Sequence, residues 1–202
     1  QTEGYYKQYF ADRAQAWEAI TYMKTRCLAG DVERGTRFLS DLQNVDWRRY
    51  GQSGPTAHLL SEMRHRLERE QGAAQPLKAG AGGYYDIDFV LMYLRLRGAG
   101  IFYTSLNTPE RIEVIERMGL LTRDDADFLR NAAIFYRALD HGLRVSTGHS
   151  QGTLPTATSQ FEILTELVRR WTPALFHTRP LDVLLAEMHQ RTRQMFQQVF
   201  EK

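Results

Sequence analysis

Cysteine is almost absent from this chain. Cys27 is the one thiol in 202 residues, so no internal disulfide can form. Its neighbours Met23, Lys24 and Leu28 read as helical, which makes Cys27 an inert buried thiol rather than a reactive one. Long apolar runs are missing too: the longest falls far short of the ~20 residues that a membrane-spanning helix needs. No charged leader followed by an apolar run opens the chain, so a reducing cytoplasm is the expected location. Charge of one sign is scarce, with 26 Lys and Arg against 24 Asp and Glu, and the formal net charge of +2 gives no electrostatic reason to expect nucleic-acid binding. The six histidines include no i, i+4 pair with an accompanying acid of the metalloprotease kind. No serine or cysteine sits in a nucleophile motif, which leaves covalent hydrolytic catalysis without support. A fixed-period repeat is also lacking, which argues against a solenoid.

What is present is ordinary globular composition, with 43% hydrophobic and 25% charged residues, and an apolar spacing that is helical nearly throughout. Phe10, Ala14, Trp17, Ile20, Cys27 and Leu28 form one stripe at three- and four-residue intervals. A second run holds Phe38, Leu39, Leu42 and Val45 and stops before Gly51, Gly54 and Pro55. A third places Leu59, Leu60, Met63 and Leu67 among arginines and glutamates. Residues 71–83 lose periodicity in a glycine-rich stretch containing Pro76 and read as a loop, followed by the strongly apolar segment Ile87 to Leu96. Thr108, Pro109 and Glu110 read as cap, first-turn proline and first-turn acid of a helix that ends at Gly119. Thr122 opens the next helix, helped by Asp124 and Asp125 at its positive end. A polar loop over 146–158 precedes two more, one carrying Phe161, Leu164, Leu167 and Val168, the other Leu181, Leu184, Leu185, Met188 and Met195. The expected fold is all-α: a bundle of about seven or eight helices, mostly antiparallel neighbours, forming one helical domain over 1–202.

Asp86-Ile87-Asp88, close behind Gly82 and Gly83, superficially matches a metal-binding aspartate pair. In that chemistry two acids at i and i+2 point the same way because they lie on a strand, and together they hold Mg²⁺. Residues Phe89 to Leu94 are apolar without interruption, however, and no strand partner is in sight. A helix puts Ile87, Val90, Leu91 and Leu94 on one face and separates the aspartates by about 200° around the axis, too far to share one ion. Asp86 and Asp88 then either cap the first turn, or one of them faces a neighbouring active site as a general base.

Four stretches, in order, resemble the glutamine synthetase adenylyltransferase family, and within it the helical domain that follows a nucleotidyltransferase domain. Trp17-Glu18 with Lys24, Arg26 and Ala29-Gly30-Asp31 is the first; Glu62-Met63-Arg64 with Arg66 is the second. The third and most specific runs Lys78, Gly80, Gly82-Gly83, Asp86-Ile87-Asp88-Phe89, against a family pattern of Lys-x-Gly-x-Gly-Gly-x-x-Asp-Ile-Glu-Phe; it departs only in Asp88. The fourth is Phe135-Tyr136-Arg137, Asp140-His141, Leu143 and Thr153-Leu154-Pro155, with Asp140 where the family has Glu. The likeness spans roughly residues 10–160, and the last helices match in character alone. Two shortened carboxylates mark a divergent branch.

The resemblance implies transfer of AMP from ATP, with Mg²⁺, to a tyrosine of glutamine synthetase, or its phosphorolytic removal. It implies a preceding nucleotidyltransferase domain in cis that carries the catalytic strand aspartates, and a nitrogen-signalling regulator as a further partner. More distantly, the stretches are similar to nitrogen-regulatory uridylyltransferases. A chain that begins at Gln1 and lacks those strands reads as a piece of a longer enzyme, inactive alone and holding no metal of its own. The same domain also suits a second role, as a regulatory or protein-binding module that never touches nucleotide. Lys24, Arg26, Arg64 and Lys78 are the cations placed to meet phosphate oxygens; the alternative is that they pair with Glu18, Asp31, Glu62 or solvent. The loop carrying Gly82 and Gly83 is expected to offer backbone amides to an anion at the start of the following helix. His141 beside Asp140 reads as a hydrogen-bonding pair, and Arg191 and Arg193 as a solvated helix face.

Overall fold

The structure, a computed structural model, describes residues 2–98, 107–149, 152–176 and 179–201. Among them there are helices and no strand: α1 (Glu3–Asp12), α2 (Ala16–Tyr22), α3 (Val32–Asp46) running into a π-helical turn (Trp47–Gly51), α4 (Thr56–Gln71), α5 (Tyr84–Arg97), α6 (Thr108–Arg117), α7 (Arg123–Thr147), α8 (Thr158–Trp171), the single turn α9 (Pro173–Phe176) and α10 (Leu181–Phe200). The all-α expectation holds, with more and shorter pieces than periodicity alone indicated. None of these helices is long and apolar enough to cross a membrane.

The uninterrupted apolar run explains the architecture. A helix apolar all round must be covered on every side, and α5 is: Ile87, Leu91 and Leu96 are fully enclosed, and α2, α4, α6, α7, α10 and the π-turn all pack on it. The core built around it takes Phe128, Leu129 and Phe135 from α7 and Leu184, Met195 and Phe196 from α10. A smaller satellite, Phe10, Ala14 and Leu42 under Tyr6, Tyr9, Tyr22 and Phe38, joins α1 to α3.

The first apolar stripe divides where the sequence reading had it continuous. Residues 13–15 break it, and α2 restarts at Gln15, whose backbone amide donates to the Glu18 carboxylate at 2.7 Å. Cys27 lies outside any helix, half-buried on the irregular stretch after α2, and Leu28 is exposed. The competing signal was the start of α3, where Asp31 accepts the Arg34 amide at 3.0 Å directly after Gly30 in the left-handed region. At α6 the cap is Asn107, one residue earlier than expected: its side chain and that of Glu110 exchange hydrogen bonds with each other's amides at 3.0 Å, which leaves Thr108 and Pro109 in the first turn. Thr122 caps α7 as expected, and Gly119 follows α6 at φ 69°. Of the loop expected over 146–158, α7 takes the start and α8 the end, while 150 and 151 lie outside the described residues.

One buried acid sets a pH dependence. Asp46, at the end of α3, has no exposed surface, and neither carboxylate oxygen has a hydrogen-bond partner among the described residues. Burial raises its pKa from 3.8 to about 7, against the pull of Arg49, with Glu18 adding to the rise. The folded state therefore holds a proton that the unfolded chain releases. The contribution of Asp46 to stability is greatest below pH 4, declines as pH rises to about 7, and is flat above that. Asp46→Asn should remove this decline and gain about 2–4 kcal/mol at pH 8. Denaturant unfolding of both proteins at pH 5 and pH 8 measures it, and parallel pH profiles would exclude Asp46 as the source.

Candidate functional site at the head of α5

The turn into α5 and the start of that helix bring together residues from all four sequence stretches. Gly83 sits at its cap position and Asp86 in its first turn. Asp86 is fully buried; its Oδ2 accepts the Gly82 amide at 2.8 Å, and its Oδ1 lies 2.5 Å from Nε of Arg64 on α4. Arg64 is itself fully enclosed and donates to the Gly80 carbonyl at 2.7 Å. Its approach to Asp86 is a charge contact at a poor hydrogen-bond angle, leaving Nε, Nη1 and Oδ1 without a formal hydrogen bond. Arg193 of α10 completes the group, 3.0 Å from Glu68 and 3.4 Å from Asp86. Burial pushes the Asp86 carboxyl up, and Arg64, the Gly82 amide and Arg193 draw it back. Asp88, two residues on, points elsewhere and pairs with Lys24 at 3.2 Å. The helical reading of the twin acids is thus correct, and they do not share a site.

The glycine loop is held from two further helices. Tyr136 of α7 donates its hydroxyl to the Gly82 carbonyl at 2.6 Å and stacks on His189 of α10, the rings 5.8 Å apart and 16° from parallel. Burial drives the Tyr136 hydroxyl far above its usual range and the His189 imidazole below its own. Gly82 is in the left-handed region, and its missing Cβ makes room for the backbone of His189.

This geometry corrects three of the expected phosphate contacts. The Gly82 amide is taken by Asp86, the Gly83 amide by the Gly80 carbonyl at 3.0 Å, and the next two by Leu77 and Lys78 carbonyls. Gly82 and Gly83 are buried with their donors used, so they do not cradle an anion. Arg64 is sealed inside and serves the loop rather than a cleft. The likeness of the glycine pattern to an anion loop misled because it records a close chain crossing.

Lys78 is placed differently. It lies at a cleft of about 240 Å³ between the loop, the start of α5 and α7, where its Nζ is 3.0 Å from Asp140 and Arg144 is 3.2 Å from the other Asp140 oxygen. Partial burial raises the Asp140 carboxyl, but hydrogen bonds and charge from Lys78 and Arg144 outweigh it and hold the group below its usual range. Arg137, stacked on the Tyr84 ring at 5.3 Å, brings a third cation to the same cleft. Lys24 borders a second groove with Asp88 and Trp17. Arg26 is exposed and has no polar partner among the described residues.

Sequence reasoning missed the partners. Lys24, Arg64 and Lys78 pair with Asp88, Asp86 and Asp140, each joining one stretch to another. The neighbours expected for them are engaged locally: Glu18 with Tyr9, Asp31 as a cap and Glu62 with His58. His141 does not bond Asp140 but lies against Trp171, with ring centres 5.0 Å apart. Arg193 belongs to the buried charge group, and Arg191 stacks on Phe128 at 4.2 Å, so this face is not simply solvated. No spacing signal in α10 set Arg193 apart from Arg191, two residues earlier.

No cluster of three His, Cys, Asp or Glu side chains that could hold a metal occurs among the described residues. Asp86, Asp88 and Asp140 each already face a cation, so this donor set does not suit Mg²⁺.

The family profile described as GlnD PII-uridylyltransferase matches residues 56–200, which carries the likeness through α10. Curated relatives include bifunctional glutamine synthetase adenylyltransferase/adenylyl-removing enzymes. That of Hahella chejuensis is 30% identical over 141 residues, covering 67% of this chain and 14% of the relative. That of Nitrosococcus oceani is 31% identical over 151 residues, covering 70% and 15%, and that of Mycobacterium marinum 29% over 157 residues, covering 74% and 16%. The chain therefore spans only about one-seventh of the length of these relatives. With the family pattern running from α4 through α10, this chain belongs to the GlnD PII-uridylyltransferase family and is related to the glutamine synthetase adenylyltransferase/adenylyl-removing enzymes.

Proposed function

We propose that this chain is the helical accessory domain of an ATP-dependent enzyme that adds AMP to, or removes it from, a tyrosine of glutamine synthetase, and that it forms one wall of the nucleotide cleft. The catalytic aspartates and Mg²⁺ belong to a nucleotidyltransferase domain preceding it in cis, and a nitrogen-signalling protein regulates the whole. The names of the relatives support the reaction class. The observation that carries the placement is the cleft at Lys78, where three cations face one carboxylate. Positive charge held in a half-enclosed site stabilises phosphate oxygens without reorganising as the reaction proceeds. Asp140 supplies the holding: it fixes Lys78 and Arg144 side by side and leaves the cleft net positive.

In the full-length enzyme Lys78→Ala should lower adenylyl transfer about 100-fold with the fold intact, and the chain alone should transfer nothing. Labelled AMP incorporated into glutamine synthetase, with circular dichroism as the folding control, measures both. Wild-type turnover in Lys78→Ala would remove this cleft from the reaction. That result would favour a protein-binding module, which has one observation behind it: a groove of about 620 Å³ flanked by the half-exposed Ile134 and Trp171.

A further inference from the structure

Tyr85, which lines the Lys78 cleft, also lines a groove of about 310 Å³ between α2, α4 and α5, of opposite character to that cleft. The charged groups lining it are Lys24 and Asp88, neutralised by each other at 3.2 Å. Its walls are the rings of Trp17, Tyr85 and Phe89 with the thioethers of Met63 and Met92, flat and polarisable surfaces that accept another aromatic plane.

Two features of this groove serve no evident purpose in packing. Trp17 is 44% exposed, while its α2 neighbours Ala16, Ala19 and Ile20 make the core contacts. Gln71, at the end of α4, lines the groove with a half-exposed side chain. A glutamine amide presents a donor and an acceptor side by side, which matches the amino group and ring nitrogen on the edge of adenine.

We infer that this groove is a base subsite that takes the adenine of an adenine nucleotide, stacked against Trp17 and read by Gln71. The inference rests on the nucleotide-cleft reading above and deepens it. Tyr85 lines both recesses, which makes them neighbours; in the proposed pose one nucleotide reaches both, with its phosphates toward Lys78 and its base toward Trp17. The division follows the chemistry of the ligand: the cationic recess meets the charged end, and the neutral aromatic one meets the heterocycle.

The test is calorimetric titration of the full-length enzyme with ATP, AMP and inorganic triphosphate. Loss of one base–aromatic stack weakens binding roughly tenfold, so Trp17→Leu should raise the Kd for ATP and AMP by about that factor and leave triphosphate unchanged. Trp17→Phe, which keeps an aromatic face, should recover most of the loss. Gln71→Ala should narrow the preference for ATP over GTP. Lys78→Ala should weaken ATP and triphosphate instead. Unaltered ATP and AMP binding in Trp17→Leu overturns the base subsite. If Lys78→Ala still weakens ATP in that case, the cleft reading survives without it; if neither variant changes ATP binding, both fall. Weakened binding of N-acetyltyrosinamide in Trp17→Leu, with AMP unaffected, also overturns the inference and assigns the groove to a protein side chain.

Discussion

Arg64→Leu is expected to destabilise the chain by about 3–5 kcal/mol, the usual consequence of removing one partner from a buried ion pair. Arg64 and Asp86 are both without exposed surface, so neither can recover its lost interaction from water. Removing the arginine leaves a carboxylate with only the Gly82 amide and the more distant Arg193. It also takes one of the two donors from the Gly80 carbonyl, which keeps the Gly83 amide. The double variant Arg64→Leu with Asp86→Leu should lose less than the sum of the two single changes, because no charge is then left buried alone. Denaturant unfolding of the four proteins gives the coupling directly. Strict additivity would mean that the two charges do not depend on one another. In the full-length enzyme both single variants should also lower transfer, through the misplaced loop that carries Lys78 rather than through any contact with substrate.

Much of this arrangement could be read from the sequence, for local reasons. The apolar run Phe89 to Leu94, with no strand partner in sight, marked a helix with Ile87, Val90, Leu91 and Leu94 on one face. That helix is α5, and its cover on every side came from the fold. Thr122 and Gly119 punctuate the chain where cap and left-handed chemistry require. The angular separation of Asp86 and Asp88 followed from helix geometry, and it decides that one faces the core while the other faces Lys24. What periodicity could not supply was partnership across the chain. Lys24 meets Asp88 from 64 residues away, and Arg193 reaches Asp86 over 107. Spacing rules describe one element at a time, so Lys24 and Arg64 were offered carboxylates nearby in sequence and took ones brought close by the fold. Cys27 shows the opposite error: three- and four-residue spacing continued on paper through a stretch that the Asp31 cap and Gly30 had already claimed for a helix start.

Gly82→Ala should be the most damaging single methyl in the chain, costing more than about 4 kcal/mol. Two effects combine. At φ 74° an L residue is disfavoured by about 1–2 kcal/mol on its own. A Cβ there would also stand 2.0 Å from the carbonyl oxygen of His189, with the carbonyl carbon and Cα of the same residue within 2.8 Å. These are helix backbone atoms that no rotamer change can move. Relief requires α10 to retreat from the loop, which separates Tyr136 from the His189 ring and Arg193 from Asp86. Gly119→Ala isolates the first effect, since Gly119 has a similar φ of 69° and nothing within 4 Å of its would-be Cβ; it should cost only about 1–2 kcal/mol. Thermal unfolding of the two variants side by side separates strain from contact. Equal losses would mean that α10 can move away from the loop at little cost. The expected inequality would make the close approach of α10 the reason that Gly82 tolerates no side chain.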